Sequence, residues 1–227
     1  MATQYKPIIF STEMVQAILE GRKTQTRRIV KSDPKINDDT DLELIPDWDG
    51  KYDDPLTLFF YYKGTKTRSI YYDCQLPLAQ IGDILWVRES FQYSDELDEP
   101  FWYKQKYKED YTQEAFERIK WKPSIHMPKE AARIFLEVTN VRVERLQDIS
   151  EEDAIAEGVE IIHYAEPILP VFRKYNLKEK KGTLNPILSY QTLWGKINGE
   201  DSWKANPWVW VYEFKQVDKP KDFTHEH

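Results

Sequence analysis

Five cations and no acid stand between Gly21 and Ser32: Arg22, Lys23, Arg27, Arg28 and Lys31. Backbone and guanidinium donors crowded into one segment suit an anion or a polarised carbonyl. The run also holds a lysine and threonine hydroxyls at short spacing, in Lys23-Thr24-Gln25-Thr26. A threonine hydroxyl attacks only when a base takes its proton. A lysine is such a base only when its pKa falls well below about 10.4. Desolvation and the neighbouring arginines would lower it, and a carboxylate nearby would raise it.

Glu157 is a carboxylate in an unfavourable place. It precedes Gly158, the expected stop of a helix opening at Ser150. The dipole at a helix C-terminus disfavours an anion by roughly 0.3–1 kcal/mol, and Asp153, one turn earlier, adds like charge. A cationic partner is therefore expected, either Lys23 or an arginine of the basic run. Two readings stay open at this point. A pairing of Lys23 with Glu157 either carries chemistry or is a structural ion pair. The basic run likewise either holds a ligand or is a solvated face paired with acids elsewhere.

Two further groups carry chemistry. Trp86 and Arg88 share one face of an expected strand, with Leu85, Val87 and Glu89 on the other. The ring and guanidinium could wall a cleft for a base, or the Trp could pack beneath an insertion. His126 lies between Pro123 and Pro128, which fix the backbone as a ligand-lining segment requires; a satisfied structural histidine is the alternative. No second histidine has metal-ligand spacing to it, and the acids of residues 38–54 lack the order of a calcium loop, so neither a metal nor a cofactor is expected.

The elements that must position these groups follow from periodicity. Pro7–Phe10 is extended. A helix over residues 12–20 is capped by Ser11 or Thr12, turns Val15, Ile18 and Leu19 to the core, and stops at Gly21. The basic run then reads as a loop. Residues 33–56 read mainly as an irregular acidic insertion, followed by a hairpin across Lys63–Gly64–Thr65. Gly82–Asp83 turns into a strand over residues 84–89, and a helix is expected near Thr112–Ile119. Apolar parity changes between Val138 and Val141, which demands a bulge near Thr139–Asn140. Ser150–Asp153 is a capping box, with Ile149 before it. Tyr190–Ile197 reads as helical, and Trp208–Phe214 as a strand. We expect one domain over residues 1–217, with insertions at about 33–80, 91–122 and 160–187, and a disordered tail over 218–227.

Composition bounds the function. The net charge of −7 excludes binding to nucleic acid by bulk electrostatics, so such contact needs a local patch or a small ligand. A single cysteine, Cys74, excludes an intrachain disulfide and a cysteine-based zinc site. No apolar run spans a bilayer and no leader pattern opens the chain, so a cytoplasmic protein without membrane contact is expected. Aromatics at 14 % serve either a core or base stacking.

The stretch Ile18–Arg28, with Gly21 before Lys23-Thr24-Gln25-Thr26-Arg27-Arg28, resembles the signature of ASCH domains. Gly82–Glu89 is similar to that family's second element, and the long strand, the Ser150 helix and the closing strand follow in its order. The matching segments cover about half of the chain, which is most similar to the larger ASCH-like proteins of phages and prophages. The resemblance implies an α+β fold of PUA-like/ASCH type: a mixed β-barrel with short flanking helices and large insertions. It implies a ligand that is a nucleobase, a modified nucleoside, or RNA or other single-stranded nucleic acid. One small amidohydrolase type in the family acts on acetylated cytidine with a Lys, a Thr and a Glu. Those fall on Lys23, Thr26 and Glu157, and the loop arginine on Arg28. Substrate contacts are then expected from Arg22, Arg27, Arg28, Trp86, Arg88 and His126.

Overall fold

The computed structural model describes residues 3–30, 40–46, 56–62, 68–70, 77–95, 99–107, 112–166, 168–176 and 181–223. In chain order its elements are β1 (Tyr5–Ile9), α1 (Thr12–Leu19), β2 (Gln25–Ile29), β3 (Thr40–Pro46), β4 (Leu56–Tyr62), β5 (Arg68–Ile70), β6 (Ile84–Arg88), β7 (Phe91–Tyr93) and β8 (Phe101–Tyr103). They continue with α2 (Gln113–Arg118), β9 (Phe135–Arg145), α3 (Glu151–Ala156), β10 (Ile161–Ala165), β11 (Leu169–Arg173), β12 (Gly182–Thr183), α4 (Pro186–Asn198) and β13 (Trp208–Val217). The fold is mixed α+β. No helix among the described residues is long and apolar enough to cross a membrane.

The organising sheet has the order β1-β6-β9-β13-β2. β1 pairs parallel to β6, and the remaining neighbours are antiparallel. The expected barrel does not close among the described residues: β1 and β2 remain edge strands. A side chain bridges their ends instead, because Arg28 Nη2 donates to the Ile9 carbonyl at 3.1 Å. Pairing of β13 with β9 skips Thr139, since Glu213 faces Asn140 and Phe214 faces Val138. That is the bulge the parity change requires.

β13 is buried on both faces, which divides the molecule into two apolar layers. Trp210, Tyr212 and Phe214 meet Ile8, Leu85, Val87, Leu136 and Val138 on one side. Val209 and Val211 meet Leu146, Ala154, Phe172, Tyr190 and Trp194 on the other. Each such side chain contributes roughly 1.5–3 kcal/mol on full burial. The second layer is made by α3, α4 and the small sheet β10-β11-β12. Much of the expected 160–187 insertion is therefore a wall of the core.

Local chemistry explains α1. Ser11 Oγ accepts from the Met14 amide, and Gly21 takes φ +73° just past the helix end. Val15 and Ile18 reach the first core, whereas Leu19, expected there too, is 38 % exposed. Ala17 takes the buried position beside them.

Three other expectations are corrected, and one is met. The basic run is not all loop: Gln25–Ile29 is strand β2, laddered to β13. Residues 40–46, expected as irregular, form β3 and pair with β4 along their whole length; acidic residues in Asp41-Leu42-Glu43-Leu44 mask a period-2 pattern. β4 and β5 pair as the expected hairpin, and its turn at 63–67 lies outside the described residues. The expected tail is ordered as far as Phe223, which is buried against Trp86, Phe135 and Tyr5.

Candidate functional site

The basic run and the α3 end meet. Lys23 and Glu157 form an isolated antiparallel bridge, with Thr24 N donating to Ala156 O at 2.9 Å. Close approach depends on Gly158, at φ +87°: a Cβ there would lie 2.8 Å from Lys23 Cβ and 3.0 Å from Ala17 Cβ. Ser150 Oγ starts α3 by accepting from Asp153 N, and Glu157 is its C-terminal cap.

Lys23 is 2 % exposed and Glu157 4 %. The ammonium donates to Glu157 Oε2 at 2.7 Å, to the Glu157 carbonyl at 3.0 Å and to the Gln25 carbonyl at 2.9 Å. These contacts use all three protons, and an ammonium has no lone pair. Burial pushes the Lys23 pKa below the usual lysine range; Glu157 opposes that fall, while Arg28 and Arg27 add to it.

Arg27, expected as a substrate contact, is instead the hub of a buried charge network. Its Nη1 donates to Glu157 Oε1 at 3.0 Å, and its Nη2 to Glu144 Oε1 at 2.6 Å and Asp153 Oδ2 at 2.8 Å. Arg142 extends the network to Glu144, Asp153 and Glu213. Burial alone would raise the Asp153 carboxyl, but Arg142 and Arg27 outweigh it and hold the group below its usual range. The Tyr190 ring lies under Arg27 at 5.9 Å, and burial, then Glu157, push its hydroxyl well up.

Thr26 is buried, and its Oγ1 accepts from Arg28 Nη1 at 2.8 Å. Arg28 is thus turned back on its own strand, with its guanidinium 5.2 Å above the Phe10 ring. Arg22 reaches the other way. Its Nε donates to Glu20 Oε2 at 2.7 Å and its Nη1 to the Gly158 carbonyl at 2.8 Å.

Trp86 and Arg88 lie in a different cluster. Trp86 is packed with Ala132, Phe135 and Phe223, so the expected base-stacking wall is covered. Arg88 donates through Nη2 to the Ile125 carbonyl and lies 5.7 Å from the Trp86 ring. His126 is exposed on the adjoining turn.

A cavity of 990 Å³ lies on the Arg22 side of the network. Its walls come from α1, the Arg22–Gly158 contact, the turn after β8, β10–β11 and α4. The expected borders Arg28, Trp86 and His126 do not line it, because Arg28 is folded onto Thr26 and Trp86 lies under Phe223. Charges on the walls balance: Glu13, Glu20, Glu157 and Glu160 stand against Arg22, Lys106, Arg173 and Lys196. Several pair directly, as Arg22 with Glu20 and Arg173 with Glu160 at 2.7 Å. Tyr164, 62 % exposed, and Tyr175 supply aromatic surface.

Sequence reasoning missed Glu144, Arg142 and Glu213 in the network, and Gln16, Gln105, Tyr164 and Arg173 in the cavity. The alternation of Arg142 and Glu144 on one face of β9 was an available signal for a polar layer. A second buried pair was also missed: Arg133 grips Glu89 through Nε at 2.8 Å and Nη2 at 3.0 Å. Burial, against the pull of Arg133, pushes the Glu89 carboxyl up. Among the described residues no three of His, Cys, Asp or Glu are grouped as metal ligands.

Compared with protein-family models, curated proteins and solved structures, the chain matches none.

Proposed function

We propose that the protein binds a nucleobase or modified nucleoside in the cavity beside Arg22, as a PUA-like, ASCH-type module. The carrying observation is the charge balance of that cavity: four acids against four bases, with tyrosine surface between them. A neutral polar heterocycle suits such walls. A polyanionic strand needs a cationic track, and neither this cavity nor the net charge of −7 supplies one. The volume, 990 Å³, falls at the upper end of the usual range of about 300–1,000 Å³ for small-ligand sites. Tyr164 offers a stacking face, and Arg22 and Arg173 offer donors for sugar or carbonyl oxygens. The test is equilibrium dialysis with cytidine and N4-acetylcytidine. Saturable binding that weakens in Tyr164→Ala and Arg22→Ala supports the reading, and no uptake of either ligand rejects it.

A second reading is amide hydrolysis of an N4-acylated cytidine. The depressed Lys23 pKa beside Glu157 favours it. Lys23 would shed a proton to become the base for Thr26 or for a water, and Glu157 would carry that proton to the leaving amine. The saturated Lys23 ammonium requires a rearrangement before that step. Chromatographic assay of deacetylated product tests this directly; no product at high enzyme concentration, from protein that binds the nucleoside, leaves binding as the function.

A further inference from the structure

One wall of the cavity carries an unbroken run of side-chain hydrogen bonds with charged groups at its ends. Arg133, held on Glu89, donates through Nη2 to Gln105 Oε1 at 3.1 Å. Gln105 Nε2 donates to Gln16 Oε1 at 2.5 Å, and Gln16 Nε2 donates to Glu20 Oε1 at 2.5 Å. Glu20 in turn holds Arg22. The run joins the turn after β8 to α1 and ends where Arg22 meets Gly158.

The ends fix the direction of the middle. A guanidinium only donates, so Gln105 must offer it the carbonyl oxygen. A carboxylate only accepts, so Gln16 must offer it the amide nitrogen. Flipping both amides would set donor against donor at Arg133 and acceptor against acceptor at Glu20. An amide has two N–H donors and two acceptor lone pairs. Each glutamine spends one donor and one acceptor in the run. One N–H and one lone pair of each remain, and both residues line the cavity.

We propose that Gln16 and Gln105 are specificity-determining residues that read a ligand edge bearing a hydrogen-bond acceptor beside a donor, as in a cyclic amide or an aminopyrimidine. Glu20 and Arg133 are positioning residues, which set the end of each amide that a ligand meets. This rests on the reading of the cavity as a nucleobase site and names the edge recognised there. A site built around such bonds rejects an analogue that lacks one, because its own polar groups are left unpaired.

The test is equilibrium binding, by ligand-observed NMR, of four probes to the full chain. Cytidine and uracil carry the full edge. The 2-pyrimidinone riboside lacks the exocyclic amine, and 1,3-dimethyluracil lacks the ring N–H donors. Wild-type protein is expected to prefer the first member of each pair by about tenfold or more. Gln105→Met and Gln16→Met, which remove the acceptor that meets the ligand's donor, should erase that preference. Glu20→Gln alters only a partly exposed side chain and lets Gln16 turn over; it should lower the ratio within each pair, whereas a merely structural role would weaken both members alike. Unchanged ratios in all three variants overturn the inference while leaving the nucleobase reading intact, as does wild-type binding without discrimination. Binding of uracil over its dimethyl analogue without binding of either nucleoside keeps the inference and rejects a nucleoside as ligand. No binding of any probe rejects both.

Discussion

The Lys23 ammonium lies 2.7 Å from Glu157 Oε2 and 3.0 Å from the Glu157 carbonyl oxygen, so one residue at the end of α3 accepts two of its three protons. The same carboxylate accepts from Arg27 through its other oxygen. Glu157 is thus the common counter-ion of two buried cations. Removing it should cost more than removing Lys23. Loss of one member of a buried pair typically costs about 3–5 kcal/mol, and we expect Glu157→Gln in that range by urea denaturation. Lys23→Met should cost less, because Arg27 still neutralises Glu157. The reverse order would contradict the network as described.

Gly158 and Gly21 separate backbone strain from crowding. Both have positive φ, but a Cβ at Gly21 meets nothing within 4 Å, whereas one at Gly158 meets Lys23 and Ala17. Gly21→Ala should therefore cost about 1 kcal/mol from the left-handed backbone alone. Gly158→Ala should add roughly 1–3 kcal/mol of overpacking and loosen the Lys23–Glu157 bridge. Equal effects on thermal unfolding would mean that the close approach is not needed.

Two carboxyls should leave opposite marks on the pH dependence of stability. Asp153 is held below its ordinary value of 3.8, so the unfolded chain takes up the proton first on acidification. Its contribution is present above 3.8 and is lost as pH falls through the depressed value. Glu89 is raised above its ordinary 4.5, so the folded chain takes up the proton first. Stability from that group falls as pH rises from 4.5 through the raised value. Urea midpoints against pH should therefore fall less on acidification in Asp153→Asn than in wild type. In Glu89→Gln the midpoint should decline less on going up from 4.5. Profiles parallel to wild type would remove both assignments.

Phe223 packs edge-on against Phe135, with ring centroids 4.8 Å apart, and also covers Trp86. Phe223→Ala should destabilise by about 3 kcal/mol, at the lower end for buried aromatic truncations, and should raise the accessibility of tryptophan to acrylamide quenching. Unchanged quenching would mean that the segment does not cover Trp86 in solution.

What the sequence made legible was local or carried by a mismatch. Glu157 stood at an unfavourable helix end, which called for a cation. The parity change between Val138 and Val141 called for a bulge at Thr139. Ser11, Gly21 and Ser150 marked helix ends through capping chemistry. Illegible features depended on register between distant strands. Arg27 is a hub because β9 and α3 bring Glu144 and Asp153 onto it, and no local pattern encodes that meeting. Trp86 lost its expected role to Phe223, well over a hundred residues later in the chain. The cavity was hidden for the same reason: Gln16, Gln105, Tyr164 and Arg173 share no motif and meet only through tertiary packing.

Equilibrium dialysis of the full chain with N4-acetylcytidine and cytidine at about 50 and 200 mM salt tests the central claim most directly, because phosphate contacts weaken steeply over that interval and neutral ligands do not. The account predicts saturable, single-site binding, unchanged by salt and lost in Tyr164→Ala with Arg22→Ala. No binding of either nucleoside, with uptake of short single-stranded RNA that collapses at the higher salt, would contradict it.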